Sequence, residues 1–191
     1  MASEVDICNR ALQHLGAKRI TSLTENSRNA NSCNSCYETS LVAELEAHVW
    51  RFSIKRASLA EDAVAPTWGR AHAYTVPSDF IKFAPKYPED ADVYDDWELE
   101  SGKILTDDTA PLYLRYVSKT VSVDAMPMLF REAVAARMAL EMCEEVTQSN
   151  TKKANISVVY DRKIAEARKA NAFFKVPQVS PDDTFDRVRN M

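Results

Sequence analysis

Apolar residues recur at helical spacing toward both ends of the chain and at strand spacing in its middle. Between residues 3 and 15, Val5, Cys8, Leu12 and Leu15 fall on one side of a predicted helix. Ser3 is placed to cap its first turn and Gly16 to end it in the left-handed conformation. After a connector over residues 17–25, Asn26 or Ser27 can cap a longer helix. Its apolar stripe is Ala30, Cys33, Tyr37, Leu41 and Leu45, and it ends near His48. In Trp50-Arg51-Phe52-Ser53-Ile54 the apolar spacing changes to two, which predicts an extended or irregular exit closed by an aromatic plug. Residues 61–69 loosen around Pro66 and Gly69.

From residue 71 to 121 the texture is that of strands. Tyr74-Thr75-Val76 and Phe80-Ile81-Lys82-Phe83 are β-prone, and prolines at 77, 85 and 88 confine them to strand ends or edges. Asp96-Trp97-Glu98-Leu99-Glu100, a turn at Ser101-Gly102 and Lys103-Ile104-Leu105 read as a hairpin. A third strand runs through Leu112-Tyr113-Leu114-Arg115-Tyr116-Val117. Helix resumes at Pro127, a favourable first-turn residue, and Ala135 and Ala136 allow close neighbours. A polar break at residues 147–150 precedes a last helix from about Lys152 to Phe174. The pattern predicts an α+β chain that is mainly α. Residues 1–70 and 122–175 form a helical bundle body, 71–121 a small antiparallel β insertion, and 176–191 an extended, flexible C-terminal arm.

Composition narrows the function classes. The 191 residues, 46% hydrophobic and 27% charged, suffice for a buried core. Three glycines exclude a Gly-rich phosphate-binding loop. A net charge of −4 argues against a protein whose main task is to grip nucleic-acid phosphates, and suits a surface that DNA passes without sticking. No apolar run approaches the ~20 residues a membrane span requires. The N-terminal stretch has no apolar secretory core, so the reading is synthesis in the cytoplasm with reduced thiols.

Three candidate chemistries carry little weight. Cys33-Asn34-Ser35-Cys36 is a lone CxxC without a second pair and sits inside a helical pattern, so it reads as buried thiols, not as a metal or redox site. His14, His48 and His72 are scattered and lack a nucleophile partner. Glu98 and Glu100 stand on one face of the predicted hairpin within an acidic region that also holds Glu89, Asp90, Asp92, Asp95, Asp96, Asp107 and Asp108. A glycosidase needs two carboxylates roughly 5–10 Å apart in a cleft. A solvated acidic rim facing a partner is the commoner arrangement. The expectation is therefore no catalytic residue, no cofactor and no metal.

The order of the pieces resembles a known family. Ile7-Cys8-Asn9-Arg10-Ala11-Leu12 with Leu15-Gly16 is followed by Ile20-Thr21-Ser22-Leu23 and the Ala30…Cys33…Tyr37 helix. Then comes the block His48-Val49-Trp50-Arg51-Phe52…Lys55-Arg56-Ala57-Ser58-Leu59, the most specific part. Together they resemble the tail tubular protein A family, head-to-tail adaptors of short-tailed bacteriophages, over the chain to about residue 175. Val49 stands where that family usually has Pro. The resemblance implies a virion protein at the head–tail junction, forming a dodecameric ring of copies of itself beneath the portal protein. The tail nozzle protein, with its fibres, would dock below or beside that ring, and packaged DNA would pass through the channel without sequence-specific binding. Trp50, Arg51, Lys55, Arg56, Trp97, Glu98, Phe185 and Arg187 are the residues expected at subunit or partner interfaces. Glu44 and Glu46, preceding the basic block, suggest opposite charges that join one subunit to the next. The rival reading is a cell-wall or polysaccharide hydrolase using the acidic hairpin, and a third, a small DNA-binding module, is disfavoured by the charge.

Overall fold

The computed structural model describes residues 3–84 and 97–174. The fold is α+β and mainly helical. Among the described residues, four α-helices and six strands follow in the order α1 (Glu4–Leu15), α2 (Arg28–Ala47), β1 (Ile54–Leu59), β2 (His72–Thr75), β3 (Phe80–Phe83), β4 (Glu98–Glu100), β5 (Lys103–Thr106), β6 (Leu112–Ser118), α3 (Met128–Thr147) and α4 (Asn150–Phe173). The expected C-terminal arm, 176–191, and the acidic residues 89–96 lie outside the described residues.

Local chemistry explains the helix boundaries. The Asp6 amide donates to Ser3 Oγ at 3.2 Å while Asp6 Oδ2 accepts from the Ser3 amide at 2.9 Å, so two orphan donors of α1 are satisfied reciprocally. Gly16 closes α1 at φ 73°, a left-handed conformation that costs a residue with Cβ more. Of the two candidate caps for α2 it is Ser27 that accepts, from the Ala30 amide at 3.2 Å. Pro127 sits just ahead of α3, and Ser149 caps α4, which starts two residues before the expected Lys152.

The helical core forms around α3, which packs against the other three helices. Ala133, Val134, Ala135, Ala136, Met138 and Ala139 are all completely buried there, and the small side chains let neighbouring backbones approach. The expected α2 stripe of Ala30, Cys33, Tyr37, Leu41 and Leu45 lines the same core.

The strands form two antiparallel sheets, ordered β1-β6-β3 and β2-β5-β4. Ser101 and Gly102, at φ 48° and 76°, supply the hairpin turn between β4 and β5. Leu112, Leu114 and Tyr116 of β6 alternate inward to meet Tyr74 of β2 and Ile104 of β5, making a second, smaller core between the sheets. Val117, on the other face of β6, belongs to the helical core, with Phe52 and Ile81 packed against it. One strand therefore serves both cores, and the two parts are joined by packing as well as by chain.

The β part starts earlier than the sequence suggests. The three-residue 3-10 turn Arg51–Ser53 leads into β1, which pairs with β6 from Ile54↔Val117 to Leu59↔Leu112. Residues 54–59 thus leave the 1–70 stretch read as helical body and join the sheet. Only Leu59 of β1 is buried, so periodicity along the strand is faint. Its partner strand, not its own pattern, defines it.

Candidate interaction surface

The aromatic and basic block divides into a buried half and an exposed half. Trp50 is 1% exposed. Its Nε1 donates to the Glu44 carbonyl at 2.8 Å, and its ring stands edge-on to Phe130 at 4.7 Å and to His48 at 4.8 Å. Expected at an interface, Trp50 is instead a pin in the core: the helical exit points the indole inward, where its N–H ties off a free carbonyl of the last turn of α2. Asn171 of α4 reinforces the junction. Its Oδ1 accepts from the Arg51 amide at 3.0 Å and its Nδ2 donates to the Val49 carbonyl at 2.9 Å. Arg51 is half-buried at this seam.

Lys55 and Arg56 are exposed on β1. Lys55 Nζ lies 2.7 Å from Asp79 Oδ2, and Asp79 also accepts from Ser118 Oγ at 2.7 Å and from the Tyr116 hydroxyl at 3.0 Å. Burial pushes the Asp79 carboxyl up, and the three donors outweigh it and bring it down to about 2. The clamp ties β1, β6 and the turn before β3. Arg56 makes no bond of this kind among the described residues.

Glu44 does not belong with these charges. It is completely buried between α2, α3 and α4, where its Oε1 accepts from Arg137 Nη1 at 3.0 Å and from the Tyr160 hydroxyl at 2.6 Å. The charge-joining role suggested for it is therefore internal to one chain. Burial places it there because an ionised carboxylate removed from water needs a cation and donors at hand. Glu46 keeps its side chain at the surface, and its carbonyl accepts from Lys82 Nζ of β3.

On the far side of the sandwich, the outer face of the second sheet and the loop over residues 64–70 border an open pocket of about 350 Å³. Ala73 and Leu105 floor it, Glu98, Glu100 and Lys103 edge it, and Trp68 stands at its lip, 87% exposed. Val64 in the same loop is 74% exposed. Sequence reading passed over this loop because a tryptophan between Pro66 and Gly69 has no periodic neighbours. A large aromatic residue in a turn-forming segment was the available signal. Trp97, half-buried, packs its ring 6.1 Å from Phe83 and donates from Nε1 to Asp108 Oδ2 at 2.7 Å. Glu98 accepts from Arg70 Nη2 at 3.1 Å, and Arg70 Nη1 reaches Asp107 Oδ2 at 3.1 Å. The structure brings Trp97 and Glu98 together but keeps them apart from the Trp50 junction. Phe185 and Arg187 lie outside the described residues.

The chemistry of these groups is that of ion pairing. A general acid needs a carboxyl held protonated by burial. Glu98 is 54% exposed and engaged by Arg70. The Ala71 amide and then Arg70 hold Asp107 below the usual carboxylate range, and Lys103 above all does the same for Asp62. Cys36 is equally unsuited to reaction. Burial pushes Cys36 up to about 12, which leaves little thiolate to act as nucleophile or metal ligand. His48, lowered by burial, contacts Asn171 Nδ2 through Nε2 at 3.1 Å. Among the described residues no group of three or more His, Cys, Asp or Glu is placed to hold a metal ion, and no helix is long and apolar enough to cross a membrane. Comparison with protein-family models finds no match, and neither does comparison with curated proteins.

Proposed function

We propose that this chain is a structural head-to-tail adaptor of a short-tailed bacteriophage. Copies of it form a ring, twelve by resemblance, that sits beneath the portal protein, continues the DNA channel and receives the tail nozzle, with fibres attached below or beside it. The observation that carries the reading is the way the most family-like block is used. Trp50 and Phe52 of this block pack in the helical core together with Val117 of β6, so bundle and sandwich share one core and leave exposed residues at the sandwich end, which suits a ring component. The mildly acidic balance supports a channel that DNA slides past. Co-sedimentation of the purified chain with portal rings of the same virion tests the proposal. Saturable binding that survives about 0.5 M salt, where the Debye length has shrunk to a few Å, is the expected result. A folded chain that stays in the supernatant beside intact portals contradicts it.

One observation favours the hydrolase alternative, the open pocket bordered by Glu98 and Glu100. That reading requires turnover of cell-wall material or another polysaccharide and its loss in E98Q or E100Q. The adaptor reading expects neither variant to change any such signal.

A further inference from the structure

Resting on the ring reading, we infer that adjacent copies are joined by β-strand addition: the outer edge of β4 in one copy pairs with the outer edge of β1 in the next. Both are end strands of their sheets, in the orders β1-β6-β3 and β2-β5-β4. Among the described residues neither outer edge is paired with another strand. Such an edge presents a row of unused N–H and C=O groups, a ready template for a strand from another chain.

The two edges lie on opposite flanks of the sandwich. The segment after β1 runs beside β2, where the Asp62 amide donates to the Ala73 carbonyl at 2.9 Å and the Thr75 amide to Asp62 Oδ1 at 3.2 Å. That fixes β1 and β2 on one flank and covers β2. On the other flank Phe83 at the end of β3 packs on Trp97, the residue before β4. A contact between two different edges on opposite flanks cannot be two-fold. It is head-to-tail, and it propagates from copy to copy until it closes into a ring.

Charge selects this pairing over the like-with-like alternatives. β1 carries Lys55 and Arg56, and β4 is Glu98-Leu99-Glu100, with all three residues exposed. Lys55 and Glu98 already have partners, Asp79 and Arg70. Arg56 and Glu100 have none among the described residues, and each stands on an open edge. Pairing β1 with β1 would set Lys55 and Arg56 of two copies together, and pairing β4 with β4 would set four glutamates together. The mixed pair places Arg56 against Glu100.

Charge reversal on the full chain, assembled on portal rings and weighed by native mass spectrometry, tests the inference. R56E and E100R are each expected to lower the yield of complete rings at least about tenfold while leaving the thermal melt of the free chain unchanged. The chain carrying both substitutions is expected to assemble again, because the pair is restored in reverse. A second measurement does not depend on charge. In an equimolar mixture of R56C and E100C chains, a mild oxidant is expected to yield one cross-linked dimer, and neither variant alone is expected to yield any. The native cysteines are all buried and do not compete. If wild-type chain forms no multiple copies on the portal, the ring reading itself falls. If wild-type rings form and R56E rings form equally well, the ring stands and the edge assignment falls; Arg56 then only guards its edge against aggregation. A self-cross-link of R56C would show a two-fold contact and overturn the inference.

Discussion

Trp50 and Trp68 occupy opposite situations in one short chain. The first is 1% exposed, with its indole N–H bonded and its faces covered by Phe130 and His48. The second is 87% exposed in a loop over the sandwich. The same contrast runs through the regions around them. The helical body buries a dense apolar core and even completes a buried ion pair, Glu44 with Arg137. The sandwich has a core of six buried residues and leaves Val64, Trp68, Leu99 and Tyr113 uncovered, while the body leaves Met128, Val158, Phe173 and Phe174 uncovered. The larger core lies in the body, and both parts present apolar side chains to solvent.

Substitutions in the body's core should therefore act on stability and those at the sandwich exterior on association. The largest effect is expected for W50A. Losing a fully buried aromatic side chain and the N–H that ties off α2 should cost about 3–5 kcal/mol, read as a lower denaturant midpoint with the sandwich and bundle unfolding together. A loss under about 1 kcal/mol would show that the junction is not what unites the two parts. R137A is expected to cost about 3–5 kcal/mol as well, because it strands the Glu44 carboxylate without its cation. Replacing both residues with apolar side chains of similar volume should recover much of that loss. If the double variant is no better than R137A, the ion pair is not the source of the penalty.

Asp79 tests the sandwich side of the comparison through pH. Its carboxyl is lowered to about 2 by Lys55, Ser118 and Tyr116 against the opposing effect of burial. A group held below its unfolded value contributes stability that is fully present above the ordinary carboxylate range, near pH 4, and is lost as pH falls through about 2. Denaturant midpoints taken from pH 5 to pH 2 should fall for the wild type beyond the decline seen in D79N. The variant itself should be weaker by about 1–3 kcal/mol at pH 7. Equal slopes for the two proteins would remove the clamp from the account. The smallest effect belongs to W68A, expected to change folding stability by less than about 0.5 kcal/mol because its side chain has little internal contact to lose.

How far the sequence carried depended on where the determining interaction lay. Ser3, Gly16 and Ser27 act on backbone groups within a few residues of themselves, so the starts and ends of the first helices were readable from local chemistry. The α2 stripe and the Ser101-Gly102 hairpin turn follow from period and turn type in the same way. β1 was missed because its identity comes from β6, more than fifty positions away, while its own residues alternate weakly. Trp50 carries two expectations, an aromatic plug at the helix end and an interface residue, because an aromatic residue beside Arg51 has no period to show which way it points. The bond from its indole to the Glu44 carbonyl decides that, and only the folded helix end creates the acceptor. Glu44 looked like a surface charge for a related reason: Arg137 and Tyr160, which make its burial tolerable, lie on other helices. Of the surface itself, Lys55, Arg56 and Glu98 were legible as exposed charges, and Trp68 was not singled out.

The adaptor claim is tested most directly by the mass of the complex that forms when the purified chain meets portal rings of the same virion. Native mass spectrometry should show a fixed multiple of the 21.5 kDa chain on every portal, twelve copies by family resemblance, with the free chain weighed alongside. Portal rings that keep their own mass, in the presence of folded chain at concentrations well above any plausible working affinity, would contradict it.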